Sequence, residues 1–247
     1  MDGFRQIFEE RLQEIEAYLD LLEGLENQIQ QGLPQFGDNG ATITVQQQRI
    51  LYASVYLQLY NLVESTITQC LNAVSESVIA RSTYPSHLSE SLRREWVRFV
   101  ARTHIDLNYE NRLNSAFDLC EHLVKSLPIS DFKVEKGAGG SWDDRAIKKI
   151  SVRLGLSLNI SPSVMSDIKR PFRNDQGSLE IIKKLRNELA HGSLSFAECG
   201  EGVTVSDLRD LTERTSSYLK EVVDCFESSI SAYEFLMPEQ RPTGVIR

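Results

Sequence analysis

The longest uninterrupted helical pattern in the chain runs from Val45 to Ala80 and contains neither Gly nor Pro. Its apolar residues recur every three or four positions, so they share one side of a helix with 3.6 residues per turn. They are Ile50, Leu51, Val55, Leu59, Leu62, Val63, Ile67, Leu71, Val74 and Val78. A stripe this wide predicts a central helix that other helices contact on several sides. This segment therefore favours an all-α fold.

Two further helical regions lie on either side of this segment. Residues 2–31 carry Phe8, Leu12, Ile15, Leu19 and Leu22 at alternating spacings of four and three, which predicts a long N-terminal helix. Its stripe either packs on the same chain or pairs with another subunit. Residues 88–127 predict two helices that meet between positions 102 and 111.

The second half of the chain predicts three more helices. Residues 141–156 predict a short helix with Ser141 as its N-cap, followed by a loop that contains Pro162 and Pro171. Residues 178–191 predict a helix that Ser178 caps and that Gly192 ends. Residues 193–205 predict an irregular segment or a short hairpin, and residues 206–236 predict the last helix.

These elements predict an antiparallel helical bundle, because nothing in the pattern indicates an internal repeat or a parallel sheet. We expect one domain over residues 1–236, with an N-terminal helix at 1–31 and a core bundle at 45–236. Residues 237–247 are expected to form a flexible tail.

Composition places the chain among globular proteins and predicts no membrane span. Hydrophobic residues make up 41% and charged residues 25% of the 247 positions. No segment approaches the run of about 20 apolar residues that crosses a bilayer. The first residues are acidic and amphipathic and do not resemble a signal peptide, so we expect a cytoplasmic protein.

The cysteines indicate neither a metal site nor a disulfide framework. Cys70, Cys120, Cys199 and Cys225 stand apart from one another, without a CxxC pair or zinc-ligand spacing. In a cytoplasmic protein such residues are expected to be reduced thiols in or near the core. No cofactor is predicted.

The charge is unevenly distributed. The chain has a net charge of −8, yet residues 145–186 hold ten basic and three acidic side chains, a net of +7. This segment is either a set of solvated helix faces or a phosphate-binding surface on an acidic protein. Arg145, Lys149 and Arg153 recur every four residues and so share one face, and with Lys183 they are candidate RNA-binding residues.

The basic segment runs into the sequence KKLRNELAHG, residues 183–192, in which Arg186 precedes His191 by five positions. Two other Arg–His pairs have nearly the same spacing, Arg81 with His87 and Arg98 with His104. The first crosses a loop with a Pro, and the second has mostly apolar residues between its members. Only the Arg186 pair stands at the end of a well-formed predicted helix with a polar residue, Asn187, directly after the Arg.

The chemistry of this pair suits a phosphodiester substrate. An imidazole with a pKa near 6.5 exchanges a proton at neutral pH, and a guanidinium binds phosphate through its planar fork. Because RNA carries its own 2′-OH nucleophile, these two groups suffice for cleavage without a metal. The alternative is structural: His191 caps the helix and Arg186 pairs with a surface carboxylate.

The sequence RNELAHG resembles the motif of the HEPN superfamily, the all-α domain named for higher eukaryotes and prokaryotes nucleotide-binding. The family pattern of Arg, a polar residue, a few more residues and His falls on Arg186, Asn187 and His191. The N-terminal FRQIFEERLQEIEAYL and the LYNLVES segment with Glu64 extend the resemblance over about residues 1–236. They are similar to bacterial HEPN-like nucleases of toxin–antitoxin and phage-defence loci.

The resemblance implies a metal-independent endoribonuclease that leaves 2′,3′-cyclic phosphate and 5′-hydroxyl ends. His191 would be the acid and base, Arg186 the transition-state stabiliser and Asn187 a positioning residue. Glu64 would support the Arg, or else it is a solvated carboxylate on a helix flank. The resemblance also implies a homodimer with two motifs in one cleft, and an antitoxin or other defence-system protein as partner. The alternative is a non-catalytic HEPN module that binds RNA, a nucleotide or a partner protein.

Overall fold

A computed structural model describes residues 3–29, 32, 34–35, 40–103, 105–136, 141–173 and 175–242. Within these ranges the chain forms nine α-helices and no extended strand, and the only β-type pairing is three isolated bridges. The fold is therefore all-α, as predicted. The helices are α1 (Gly3–Ile29), α2 (Val45–Ala80), α3 (Glu90–Val100), α4 (Tyr109–Val124), α5 (Asp144–Leu154), α6 (Pro162–Lys169), α7 (Ser178–Ala190), α8 (Phe196–Cys199) and α9 (Val205–Ser231).

Helix α2 is the centre of the bundle and has the predicted bounds. It begins at a capping box, in which the Thr44 hydroxyl accepts from Gln47 N and the Gln47 side chain accepts from Thr44 N. It packs against α1, α7, α8 and α9, and α9 also packs against α1, α6 and α7. Most of the predicted α2 stripe is fully buried, although Ile50 is exposed.

Helix α1 packs its apolar stripe on its own chain. Phe8, Ile15, Leu19 and Leu22 are all buried, and α1 contacts both α2 and α9. Arg209 on α9 also forms ion pairs with Asp20 and Glu23 of α1. The α1 stripe is therefore part of the core and is not available to pair with a second subunit.

Two predicted helix caps were wrong. The cap of α5 is Asp143, whose Oδ1 accepts from Ala146 N at 2.8 Å, and not Ser141. The N-cap of α7 is Gly177, so Ser178 is already the first helical residue. An ideal Cβ on Gly177 would lie 2.8 Å from the carbonyl oxygen of Ile168, which explains a glycine where a capping side chain was expected.

Two segments predicted as loops contain helices. Pro162 is the first residue of α6, where its missing N–H costs nothing because that group has no partner within the helix. The segment predicted to be irregular or a short hairpin forms no hairpin: Phe196–Cys199 are the one-turn helix α8, with a capping box between Ser195 and Glu198. Helix α9 ends at Ser231 rather than at the predicted residue 236.

No helix in the part of the chain that the structure describes combines the length and apolar character needed to cross a bilayer. The four cysteines are free thiols. Cys70 and Cys199 are buried and Cys225 is half-buried, as expected, whereas Cys120 lies exposed on α4.

Candidate active site at the C-terminal end of α7

Helix α7 is held firmly along one side, and this fixes the position of its C-terminal end. Leu179, Ile182, Leu185 and Leu189 are buried, and the helix packs against α2, α6, α8 and α9. The helix ends at Ala190 with His191 as its C-cap, and Gly192 adopts a positive φ of +70°. Gly192 N donates to Leu189 O and Ser193 N donates to Glu188 O, which together form a Schellman motif.

Arg186 lies against a ring from the central helix. Its guanidinium carbon is 4.5 Å from the centroid of the Tyr60 ring, and Tyr60 is only 4% exposed. The Arg186 Nη1 also donates to Asn187 Oδ1 at 3.0 Å. A stacked and hydrogen-bonded guanidinium loses little further freedom when it binds a phosphate, so Arg186 is already ordered for anion binding.

The predicted structural role for Arg186 does not match this arrangement. No carboxylate among the described residues lies within ion-pair distance of its guanidinium. The cation instead pairs with an aromatic face and a neutral amide, and neither of these neutralises its charge. The guanidinium therefore keeps its positive charge available to an anionic ligand.

His191 is the C-cap residue of α7 and its side chain is exposed. Its backbone N donates to Asn187 O at 3.0 Å, which holds the start of the side chain near the turn that carries Arg186 and Asn187. Within the described ranges no residue forms a hydrogen bond or ion pair with the imidazole. Both ring nitrogens thus remain accessible to a substrate.

Glu64 follows Tyr60 by one helical turn on α2 and is half-buried. Residues four apart share a helix face, so Glu64 lies on the side of α2 that carries the ring beneath Arg186. In the part of the chain that is described, neither a hydrogen bond nor an ion pair joins Glu64 to Arg186. The structure thus brings Arg186 and Asn187 together, with His191 at the same helix end and Glu64 on the facing helix.

The four candidate RNA-binding residues fall into two groups. Arg145 and Lys149 are exposed on α5. Arg153 instead forms an ion pair with the buried carboxylate of Glu95 at 2.9 Å and donates to the carbonyl oxygen of Glu135. Lys183 Nζ donates to Asp143 Oδ2 at 2.7 Å. Arg145 and Lys149 are therefore free of intramolecular ion pairs within the described residues, whereas Arg153 and Lys183 stabilise the fold.

The Lys183 contact changes the acidity of its partner. Partial burial opposes ionisation of Asp143, but the hydrogen bonds from Lys183 and from Ala146 N outweigh it. The pKa of Asp143 consequently lies below its usual value. This one carboxylate caps α5 and joins it to α7, and so links the basic face of α5 to the helix that carries the Arg–His motif.

Arg145, but not Lys149, borders a cleft between α5, α6 and α7. The cleft has a volume of about 770 Å³, and Arg145, Lys148 and Lys169 line it together with Asp144, Asp175 and Glu180. Its mixed charge does not by itself identify an anion site. No group of three or more His, Cys, Asp or Glu within the described ranges is placed to hold a metal ion.

The two rival Arg–His pairs have other environments. Arg81 lies over the ring of Tyr233 at 4.4 Å, while His87 packs edge-on against Tyr84. Arg98 forms an ion pair with Glu95. His104 lies outside the described residues.

Tyr60 is the site residue that the sequence did not predict. Its only signal was its position one turn before Glu64, next to Leu59 of the predicted stripe, where a buried Tyr is usual. Nothing in the local sequence relates it to Arg186, because that contact exists only once α2 and α7 have packed.

A family model for HEPN_MAE_28990-like HEPN matches residues 4–235 of the chain. The match covers every described helix from α2 to α9 and all but the first residue of α1. Neither the comparison with curated proteins nor the comparison with solved structures found a significant match.

Proposed function

Since the chain belongs to the HEPN_MAE_28990-like HEPN family, we propose that it is a metal-independent endoribonuclease whose catalytic residues are Arg186 and His191. The observation that carries this proposal is the arrangement at the end of α7. Arg186, whose guanidinium is ordered by Tyr60 and Asn187, lies near the end of α7, and His191 caps that end with an exposed imidazole that has no hydrogen-bonded partner among the described residues. The cation and the proton acceptor that RNA cleavage needs are therefore at the same end of one helix.

The reaction uses the substrate's own nucleophile. Neutral His191 accepts the proton of a ribose 2′-OH, and the oxygen attacks the adjacent phosphorus. Arg186 stabilises the charge of the crowded phosphorane through two parallel N–H bonds. The bond to the 5′-oxygen breaks as the His191 imidazolium formed in the first step gives its proton to that oxygen, which leaves a 2′,3′-cyclic phosphate and a 5′-hydroxyl. Asn187 holds the guanidinium in position, and Glu64 supports the site from α2.

The substrate is held beyond the scissile bond by exposed cations. Arg145 and Lys149 lie on α5, which the Lys183–Asp143 ion pair joins to α7. In our proposal these two side chains contact flanking phosphates, while Lys183 and Arg153 keep α5 in place. The proposal includes a homodimer, and a cytoplasmic location in which the free thiols stay reduced.

The test is RNA cleavage by the purified protein in EDTA, with the product ends determined. We expect cyclic phosphate ends from RNA, and no cleavage of DNA of the same sequence, because DNA lacks the 2′-OH. His191→Ala should lower the rate by about 10²–10⁴-fold. Arg186→Ala should lower it by about 10²–10³-fold, the usual cost of removing one transition-state donor.

The chain contains matched controls for both substitutions. Arg81 also stacks over a Tyr ring, at 4.4 Å compared with 4.5 Å for Arg186, so Arg81→Ala removes a similar contact elsewhere. His87 follows Arg81 at nearly the same spacing along the sequence as His191 follows Arg186, so His87→Ala removes a comparable histidine. Both controls should keep wild-type cleavage. If they lose activity as fully as the α7 variants, or if no RNA is cleaved, the proposal is wrong.

A toxin or defence role follows if the enzyme acts on cellular RNA. Induced expression of the wild-type chain should then arrest bacterial growth, and His191→Ala should relieve the arrest. An antitoxin or other defence-system partner would restore growth when it is co-expressed. Growth arrest that persists in His191→Ala would indicate that toxicity does not depend on cleavage.

The alternative function is a non-catalytic module that binds RNA, a nucleotide or a partner protein. One observation favours it: the described residues include no carboxylate or carbonyl that orients the His191 imidazole, as many catalytic histidines have. RNA binding that Arg186→Ala weakens, without cleavage by the wild type, would support this alternative.

A further inference from the structure

The cleft between α5, α6 and α7 has the composition of a ligand site. Its volume of about 770 Å³ lies within the range of about 300–1,000 Å³ that is typical of small-molecule sites. Such sites combine apolar walls with a few polar groups that orient the ligand. The walls of this cleft include Leu156, Leu158, Ile160, Met165, Ile168 and Leu179.

Tyr218 of α9 places a polar group in this apolar wall. Its side chain is 1% exposed, and no described residue forms a hydrogen bond with its hydroxyl. The hydroxyl of Tyr56 also lacks a partner, but that oxygen is sealed within the core, whereas the Tyr218 oxygen is not. Because Tyr218 lines the cleft, its hydroxyl is open to a ligand there. A buried Tyr hydroxyl usually has a hydrogen-bond partner, so this group is a candidate ligand contact.

Asp144 offers an acceptor to the same ligand. It is the first residue of α5, it lines the cleft, and it forms no ion pair with a described residue. Burial, and after it the negative charge of Asp144, raises the pKa of Tyr218 above its usual value, so the hydroxyl stays protonated at neutral pH. The cleft therefore presents a hydroxyl donor and a carboxylate acceptor together.

The rim of the cleft carries the opposite charge. Arg145, Lys148 and Lys169 are exposed there, and none of them pairs with a described carboxylate. A ligand that suits both regions has an anionic group for the rim and N–H donors for Asp144. A nucleotide unit of single-stranded RNA has this combination, since its phosphate is anionic and its base edge carries N–H groups.

Guanine fits the hydroxyl and the carboxylate better than the other three bases do. Its N1–H and N2–H groups point the same way and match the two oxygens of one carboxylate, and O6 beside them accepts from a hydroxyl. Adenine and cytosine each present one amino group on this edge. Uracil presents a single N–H between two acceptors, which a carboxylate repels. An unpaired guanine can therefore use Asp144 and Tyr218 at once.

One face of α7 connects the cleft to the Arg–His motif. Glu180 lines the cleft and precedes Asn187 by seven residues, so both lie on one face of α7, about 10 Å apart along its axis. Lys184 is exposed on the same face, one turn after Glu180. This face offers a single RNA strand a path from the cleft to Arg186.

We propose that this cleft is a base subsite that selects a guanine a few nucleotides away from the bond that Arg186 and His191 cleave. Asp144 accepts from N1–H and N2–H of the base, the Tyr218 hydroxyl donates to O6, and the three rim cations contact the attached phosphates. The inference rests on the proposed ribonuclease activity and adds a sequence preference to it. It also accounts for the mixed charge of the cleft, since the two ends of one nucleotide require opposite charges.

Binding tests the subsite without requiring cleavage. The probe is a fluorescein-labelled single-stranded oligouridine with one guanosine, compared with the same RNA carrying inosine, which lacks only the 2-amino group. Fluorescence anisotropy with the full-length His191→Ala chain gives both dissociation constants. Because inosine loses one of the two N–H bonds to Asp144, its dissociation constant should be at least about fivefold higher.

Two further substitutions in this background separate the roles of the two side chains. Asp144→Asn should remove the difference between guanosine and inosine, whereas Tyr218→Phe should weaken both equally, because both bases carry O6. Asp167→Asn removes one exposed negative charge from α6 outside the cleft lining, and Tyr56→Phe removes a buried hydroxyl that also lacks a partner. These two controls should bind as the parent does. Circular dichroism establishes that all four variants are folded.

Cleavage tests the position of the subsite. The wild type should cut the guanosine RNA at one fixed distance from the guanosine, and Asp144→Asn should cut it at scattered positions. If no RNA is cut, the ribonuclease proposal fails, and the ratio of guanosine to inosine binding still decides whether the cleft selects guanine.

Three results would overturn the inference while leaving the ribonuclease proposal intact. The first is equal binding of the two RNAs by the His191→Ala chain. The second is a guanosine preference that Asp144→Asn retains. The third is binding of free guanosine 5′-monophosphate without any preference between the RNAs, which would assign the cleft to a free nucleotide.

Discussion

Arg186 owes its position to a residue that lies far from it in the chain. The sequence predicted that Arg186, Asn187 and His191 would share one helix end, because a helix brings nearby residues together by its own geometry. It could not predict the Tyr60 ring under the guanidinium, because this contact depends on how α7 crosses α2. The motif could therefore be predicted from the sequence, and the Tyr60 contact that orders Arg186 could not.

The stacking contact leads to a prediction for Tyr60. Tyr60→Leu keeps an apolar side chain in the core but removes the aromatic face, so Arg186 should become less ordered and kcat/KM for RNA should fall about tenfold. Tyr60→Phe retains the ring and should retain most of the activity. Cleavage rates of the two folded variants, measured side by side, check this. Equal losses in both would mean that the ring does not position Arg186.

Asp143 leads to a prediction about pH. Its pKa is below the usual value in the folded state, so its contribution to stability is complete above about pH 4, the unfolded pKa. The contribution is lost as the pH falls through the folded pKa. Asp143→Ala removes both the α5 cap and the Lys183 partner, and should lower the free energy of unfolding at pH 7 by about 1–2 kcal/mol.

Denaturant titrations at several pH values measure this effect. The difference in unfolding free energy between wild type and Asp143→Ala should become smaller below pH 4, where the wild-type carboxyl also becomes protonated. Asp143→Asn keeps an oxygen that accepts from Ala146 N and should lose less stability than Asp143→Ala at pH 7. A difference that stays constant down to pH 2 would contradict the role of the ion pair.

At the scale of the elements, helices of 11 residues or more were predictable and the two shortest helices were not. The bounds of α2 were predicted from its apolar stripe, and the structure adds the Thr44–Gln47 capping box at its start. Helix α6 was missed because Pro162 was read as a loop residue, although Pro is favoured at the first helical position. Helix α8 has a single turn, which is too short for periodicity to appear. Tertiary packing decides such segments.

The close approach of α8 to α2 gives a prediction with an internal control. An ideal Cβ on Gly200 would lie 2.0 Å from the carbonyl oxygen of Arg49, so one of the two backbones must move. Gly200→Ala should cost about 1–3 kcal/mol of unfolding free energy. Gly24 lies within α1 with open space around its Cβ position, and Gly24→Ala should stabilise by about 0.5–1 kcal/mol.

Thermal unfolding of the two variants gives the measurement. The midpoint should fall for Gly200→Ala and rise for Gly24→Ala relative to the wild type. A midpoint for Gly200→Ala at or above that of the wild type would show that α8 can shift away from α2 without loss.

At the scale of the whole molecule, the sequence predicted a net positive segment on an acidic protein, and the fold divides that segment between two roles. Arg153 and Lys183 lie in ion pairs that hold α5, while Arg145 and Lys149 are exposed on α5. Counting charges along the chain could not make this distinction. Glu95 pairs with Arg153, and Asp143 with Lys183, only because helix packing brings their side chains together.

This division leads to a prediction about the salt dependence of RNA binding. If Arg145 and Lys149 contact phosphates, each contact releases a counterion from single-stranded RNA, and log K falls with log[salt] by about 0.7 per contact. The double substitution Arg145→Ala with Lys149→Ala should therefore weaken RNA binding at low salt and reduce the slope by about 1.4. Binding is measured with the His191→Ala variant as background, so that the RNA stays intact.

Lys133→Ala is the control, because Lys133 is exposed but lies in the segment between α4 and α5, outside the basic segment. It should leave the slope unchanged. An equal change in the slope for Lys133→Ala would mean that RNA responds to the overall charge of the protein. An unchanged slope in the double variant would mean that Arg145 and Lys149 do not contact RNA phosphates. Arg186 would then remain as the proposed phosphate contact. The two helices would then serve different purposes, with α7 carrying the reaction and α5 bracing it through Asp143.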